Sequence, residues 1–298
     1  MAMIELQNVT KDYGDSRGIF NINLSIELGE AFGFVGTNGA GKTTTIRHLM
    51  GFLKPNTGTV QIKNLDAWQN AAEIKQCVGY TPGEIAFPDV KTGWEFIHQQ
   101  AELLQLTDLS FANQLIERLQ LDPSANIKRM SKGMKQKTAI VVALMADPPI
   151  LILDEPTTGL DPLMRAEFIQ IIKEEKGKGK TIFMSSHMFE EIEETCDKVA
   201  MIKEGKIITI EAISSIMSNE HQQFIIEFSN EQESTRFMQE KLDSVAISHT
   251  MVSVNIENNI LNEFLAILST YQFDNLTEQN HTLQEQFYHL YSGGQSHD

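Results

Sequence analysis

Cysteine is nearly absent from this chain of 298 residues: Cys77 and Cys196 stand alone and in no spaced motif. They give no basis for a disulfide framework or a thiolate metal centre, and reduced thiols are the default reading. Basic residues are also scarce. Twenty-four Lys and Arg face 40 Asp and Glu, a formal net charge of −16. Gripping a nucleic-acid backbone calls for a basic face, so no nucleic-acid partner is expected. Long apolar runs are missing as well. The longest uninterrupted one extends from Ala139 to Ala146, whereas a membrane-spanning helix needs about twenty such residues. The chain is therefore expected not to cross a membrane by itself. Its first residues include Glu5 and no apolar h-region, so no signal peptide is expected. Apolar residues are not lacking, at 41%. The length suits one large domain with a small one, or two of middle size.

The most informative stretch is residues 36–44: Gly36, Thr37, Asn38, Gly39, Ala40, Gly41, Lys42, Thr43 and Thr44. It meets every fixed position of the phosphate-loop pattern G-x-x-x-x-G-K-[ST]. An apolar run from Ala31 to Val35 reads as a buried strand before it, and a helix pattern from about Lys42 to Met50 follows. The residue types suit a triphosphate. Glycines let successive backbone N–H groups turn inward as an anion nest, and a helix start aims its dipole at the same place. Lys42 adds a full charge, and the Thr43 hydroxyl suits Mg²⁺.

Other candidates lie along the chain. Residues 1–30 alternate as strands, with Lys11 to Asp15 as the turn between them. Tyr13 on that turn reads either as a stacking platform for a base or as a ring covering a hairpin end. Residues 91–145 carry helical spacing, an all-helical insert between two parts of an α/β sheet. Trp94, Phe96 and the apolar positions up to residue 121 read as the insert's own core or as a docking groove. Ser131, before a helix pattern, reads as an anion-holding helix start or as an ordinary N-cap. The run Ile150 to Asp154 reads as a central parallel strand whose carboxyl end carries Asp154 and Glu155. Asp154 suits a Mg²⁺ ligand and Glu155 a base that orients water. His187 ends a further strand, where it is either structural or a phosphate contact. From residue 219 the rhythm becomes βαββαβ, a split-βαβ pattern.

The order of these pieces resembles the ATP-binding subunit of an ABC transporter over residues 1 to about 215. The resemblance implies an α/β P-loop NTPase with a mixed sheet core, a β-subdomain and a helical subdomain (about 91–145). Residues 1–218 would be the ATPase domain. Residues 219–298 would be a small ferredoxin-like accessory domain, with Leu283, Phe287 and Leu290 in a last helix. It makes Tyr13 the adenine-stacking aromatic, residues 36–44 the nucleotide loop, Asp161 part of the D-loop and His187 the switch histidine. It implies ATP and Mg²⁺, the latter held by Thr43 and Asp154, and catalysis by Glu155, His187 and Lys42. It implies a second ATPase unit, identical or not, on whose ATP Ser131, Lys132, Gly133 and Met134 act in trans. A separate transmembrane subunit is implied too, with this chain cytoplasmic and peripheral on the inner face of the cell membrane. Its branch is that of bacterial exporters of drugs, peptides, lipids or polysaccharides. The rival reading is a soluble ABC-type ATPase in translation or regulation, which typically has paired motif sets or a long coiled coil.

Two departures stand out. The usual signature Leu-Ser-Gly-Gly-Gln is Met130-Ser131-Lys132-Gly133-Met134 here, while a literal Ser292-Gly293-Gly294-Gln295 lies too near the end to open a helix. The family's glutamine after the strand at Tyr80 aligns with Gly83, leaving Glu84 as a substitute Mg²⁺ ligand.

Overall fold

A computed structural model describes residues 2–217, 221–257, 260–279 and 283. Its contacts divide the chain into two compact units, Met1–Ile213 and Ser214–Asp298.

The first unit opens on β1 (Ala2–Asp12) and β2 (Gly18–Glu27), which pair antiparallel. Both show one buried and one wet face, as half-covered antiparallel strands do. With β4 (Thr57–Ile62) and β5 (Leu65–Asp66) they make a sheet in the order β2-β1-β4-β5. A second sheet is built from β3 (Ala31–Val35), β6 (Val78–Thr81), β7 (Ile150–Asp154), β8 (Thr181–Ser186), β9 (Lys198–Lys203) and β10 (Lys206–Ala212). Its order is β10-β9-β3-β8-β7-β6, parallel except where β10 joins β9. Every residue of β3, β7 and β8 is buried, so these runs show no polar alternation. One hydrophobic cluster joins the sheets to α1 (Lys42–Leu49): Ile4, Leu6, Phe32, Ile46, Ile152 and Phe183 all belong to it. Because β3, β7 and β8 run in parallel, their carboxyl ends gather along one edge, where open α/β sheets bind ligands.

The helical insert is less continuous than the spacing over 91–145 suggests. It comprises α3 (Gly93–Leu103), α4 (Ser110–Arg118) and α5 (Lys132–Leu144). Gln105 and Gln120, at φ 56° and 49°, turn the chain just past the first two. Short helices α2 (Ala71–Gln76) and α7 (Phe189–Thr195) were not legible, because each buries few apolar residues. The helix α7 seats closely on β3: a Cβ at Gly33 would lie 2.4 Å from Ile192 Cγ2. Between β7 and β8 runs α6 (Pro162–Gly177).

A short α8 (Ile213–Met217) precedes the third sheet. The second unit runs β11 (His221–Phe228), α9 (Glu231–Phe237), β12 (Asp243–Ala246), β13 (Met251–Glu257), α10 (Leu261–Leu268) and β14 (Phe273–Gln279). Its sheet order is β12-β13-β11-β14, antiparallel throughout, the ferredoxin-like split-βαβ arrangement. Phe224, Ile226, Phe228, Val252, Val254 and Ile256 alternate toward Phe237 and Phe264 in one core. Ser218, Phe287, Leu290 and the Ser292 to Gln295 stretch lie outside the described residues.

Candidate nucleotide site

The chain leaves β3 at Gly36, where a Cβ would lie 2.5 Å from the Ile202 carbonyl oxygen; a side chain there would block the exit. Gly41, at φ 116°, caps α1 without any side-chain hydrogen bond. The first amides of α1 therefore have no side-chain cap and can receive an anion. Thr37, Asn38 and Gly39 are exposed, Ala40 is buried, and Thr44 is half-buried behind the exposed Thr43. Lys42 is 5% exposed. Its Nζ donates to the Gly36 carbonyl at 2.6 Å and to that of Thr37 at 3.3 Å, which aims it back along the loop.

A cleft of about 490 Å³ lies over this loop, lined among others by Tyr13, Arg17, Lys42, Thr43, Glu155 and Glu204. That volume is in the ordinary range for a small-molecule site. Tyr13 is 51% exposed, and its amide donates to the Arg17 carbonyl at 2.9 Å, closing the turn. The ring thus stands at the mouth of the cleft. Arg17 and Glu204 belong to no sequence motif that marks them.

Asp154 closes β7 with no exposed surface. Its Oδ1 accepts from Ser185 Oγ at 2.6 Å, while Oδ2 is buried without a donor. Nearby Tyr80, on β6, has its phenol pushed up to about 12, first by burial and then by the Asp154 charge. Glu155 follows at φ 49°, a backbone state that costs a non-glycine residue of order 1 kcal/mol or more. Two bonds hold it: its amide donates to Ser185 O and to Ser185 Oγ, each at 3.1 Å. Its Oε1 lies 3.1 Å from Lys42 Nζ, an ion pair without hydrogen-bond alignment. His187, just past β8, contacts Glu155 Oε2 through Nδ1. An ionised Glu155 makes Nδ1 the protonated nitrogen and donor of that bond. Ser185, which orders both acids, belongs to no sequence motif that marks it.

The residues present fit a Mg²⁺ ion. Hard cations take oxygen ligands, and the orphaned Asp154 Oδ2 and the exposed Thr43 hydroxyl are both of that kind. Glu84 is exposed and, among the described residues, makes no hydrogen bond or ion pair. It is Gly83 that abuts the acid: a Cβ there would lie 3.1 Å from Asp154 Oδ2.

Ser131 caps α5, its Oγ accepting from the Met134 amide at 3.2 Å. Met130 is buried in a small cluster with Val90 and Ile127, against which Met134, Phe87 and Phe96 pack. Both methionines of the unusual signature thus have a packing reason. Gly133 is needed for close approach, since a Cβ there would lie 2.6 Å from the Gly159 carbonyl. The Lys132 stem covers the other side of Gly159, whose Cβ would meet Lys132 Cγ at 2.9 Å. The signature segment therefore abuts the segment leading to Asp161 within one chain. Asp161 itself caps α6, accepting from the Met164 amide at 3.0 Å.

The model of the ABC transporter family matches residues 19–158. The bacitracin transport ATP-binding protein BcrA of Bacillus licheniformis is 36% identical over 209 residues, covering 69% of this chain and 68% of its own. This chain belongs to the ABC transporter family. It is an ATP-binding subunit, similar also to the Nod factor export ATP-binding protein I of Burkholderia orbicola, 34% identical with 74% of both chains covered. A solved ATP-binding subunit of an ABC transporter superposes with a TM-score of 0.66 at 27% identity, over 72% of this chain and 91% of that one. A dimeric bacterial ABC transporter cassette gives 0.64 at 25% identity, over 71% and 99%. The fold of this ABC subunit is accordingly the mixed α/β P-loop core with a small C-terminal α+β unit.

Proposed function

We propose that this ABC subunit binds ATP with Mg²⁺ in the cleft over residues 36–44, hydrolyses it, and drives export through a separate membrane subunit. The supporting observation is Glu155, held in a strained backbone state between Lys42 and His187, beside an Asp154 oxygen without a partner. Mg²⁺ bound by Thr43 and Asp154 would neutralise phosphate charge. The open amides of α1 and the Lys42 ammonium hold the β- and γ-phosphates, and Tyr13 stacks on the base. Glu155 orients the attacking water and accepts its proton. His187 contacts Glu155 through Nδ1 and leaves its other ring nitrogen for a γ-phosphate oxygen, and Lys42 stabilises charge in the transition state.

The site is completed in trans. Ser131, Lys132, Gly133 and Met134 are exposed or half-buried residues at the start of α5, suited to the ATP of a second ATPase unit, identical or related. ATP then favours the closed pair by its differential affinity for that state. Transport would run through a separate membrane subunit, with this chain peripheral on the inner membrane face; no described helix is itself long and apolar enough to cross a membrane. The roles of these relatives, bacitracin transport and Nod factor export, support an exported amphipathic peptide, drug or lipid.

The decisive experiment is Glu155→Gln. ATP affinity by calorimetry should stay within about threefold, hydrolysis should fall by roughly a hundredfold or more, and the variant should dimerise stably with ATP. Near-normal turnover would remove Glu155 from this role.

A further inference from the structure

Glu191 is a carboxylate that the mechanism above leaves unused. It lies in the first turn of α7 and is 1% exposed. Its Oε1 accepts from Thr157 Oγ1 at 2.5 Å, and its Oε2 from Ser186 Oγ at 2.8 Å. Arg165 Nε, on α6, stands 3.4 Å from Oε1 as the paired charge. Ser186 Oγ also accepts from the Met188 amide at 2.9 Å, and Thr195 Oγ1 donates back to the Glu191 carbonyl at 2.6 Å. The carboxylate is thus fully engaged, on three separate elements.

The addresses of those partners matter. Thr157 lies two residues beyond Glu155, on the segment that continues past Gly159 to Asp161. Ser186 immediately precedes His187. The Glu155–His187 contact is therefore spanned by a second bridge, running through Glu191 beneath it. The helix that carries Glu191 is itself fixed to β3 by the close seat of Ile192 on Gly33. Burial pushes the Glu191 carboxyl up, against the hydroxyl bonds and Arg165 that pull it down, so the chain keeps an acid where a neutral side chain would be cheaper to bury. A group that merely filled space would not need two hydroxyl donors and an arginine. What these contacts accomplish is to set the spacing between two loops, one holding the base and one holding the histidine.

We propose that Glu191 is a positioning residue for ATP hydrolysis, clamping the Thr157 loop to the Ser186 loop so that Glu155 and His187 meet the γ-phosphate in register. This inference rests on the ATPase reading. It acts through geometry, so its removal slows the chemical step and spares nucleotide binding. A displacement of about 1 Å at reacting groups costs up to a hundredfold in rate.

The test is steady-state ATP hydrolysis and thermal melting of the full chain, assembled with its membrane subunit if activity requires it. Glu191→Gln and Thr157→Val should each lower kcat roughly ten- to a hundredfold, with KM within about threefold of the wild type. Thr157→Val keeps the side-chain shape and covers the case in which Glu191→Gln fails to fold. Thr157→Ser, which retains the hydroxyl, should recover most of what Thr157→Val loses. Wild-type kcat in folded Glu191→Gln or in Thr157→Val overturns the proposal, as does a loss of activity that follows melting alone and is not rescued by serine. A wild-type chain that hydrolyses no ATP overturns the ATPase reading itself, a result distinct from either.

Discussion

Lys42 and Glu155 form a buried ion pair, Nζ to Oε1 at 3.1 Å, with side chains 6% and 17% exposed. The residue expected to grip phosphate and the residue expected to activate water hold each other within one site. Each charge lowers the cost of burying the other, so the cleft is pre-formed around them.

Lys42→Ala removes the full charge of the phosphate loop and leaves Glu155 Oε1 unpaired. ATP affinity should fall roughly ten- to a hundredfold, as expected for losing charge-assisted bonds. Calorimetry with ATP checks it, and an unchanged affinity would contradict the phosphate-loop assignment.

Gly83→Ala places a methyl carbon 3.1 Å from Asp154 Oδ2. The Gly83 backbone accepts alanine without a left-handed φ, so folding should be little affected. The Mg²⁺ concentration for half-maximal hydrolysis should rise several-fold, roughly three- to tenfold. A magnesium titration at saturating ATP reads this, and an unmoved midpoint counts against Asp154 Oδ2 as a ligand.

His48 adds a pH dependence at the far end of α1. It is buried, donates from Nδ1 to the Leu53 carbonyl at 2.7 Å and leaves Nε2 without a partner. Burial holds its pKa below the ordinary 6.5. The unfolded chain therefore binds the proton first on acidification. The stabilisation is complete above about pH 6.5 and is lost as pH falls toward the lowered folded value. Melting temperature should drop more steeply across this window in the wild type than in His48→Gln. Parallel curves would show that His48 does not titrate with folding.

Docking to the membrane subunit should involve Glu84 and Trp94. Phe87 and Phe96 are poor candidates, since their rings close on each other at 4.8 Å within the small cluster by the signature. Trp94 is half-buried and stacks on His98 at 5.3 Å. Cysteines at 84 and 94 should cross-link to the membrane subunit in an assembled complex. Failure at both positions would remove this docking face and leave the ATPase assignment standing.

The nucleotide loop was legible in the sequence because its geometry is local. Three glycines, a lysine and a threonine at fixed spacing, between a buried strand and a helix, dictate nearly the whole nest. The strand before Asp154 was legible for a similar reason, since a continuous apolar run ending in acids has few other uses in an α/β sheet. The βαββαβ tail followed from alternation alone. Short helices such as α7 were not legible, because a single turn or two with one buried apolar residue carries no period.

Tertiary structure decided everything that depends on two distant segments meeting. Register between β7 and β8 sets Asp154 opposite Ser185, and so turns an unremarked serine into the group that orders both acids. Packing of the signature helix against Gly159 explains Gly133, and the small cluster beside it explains Met130 and Met134. Pairing across the sheet also brings Lys42 to Glu155, and α7 lays Glu191 under the contact of Glu155 with His187. A local pattern specifies backbone shape through steric limits on neighbouring residues. Which side chains then share a charge or a proton is set by long-range packing, which the order of residues encodes but does not display.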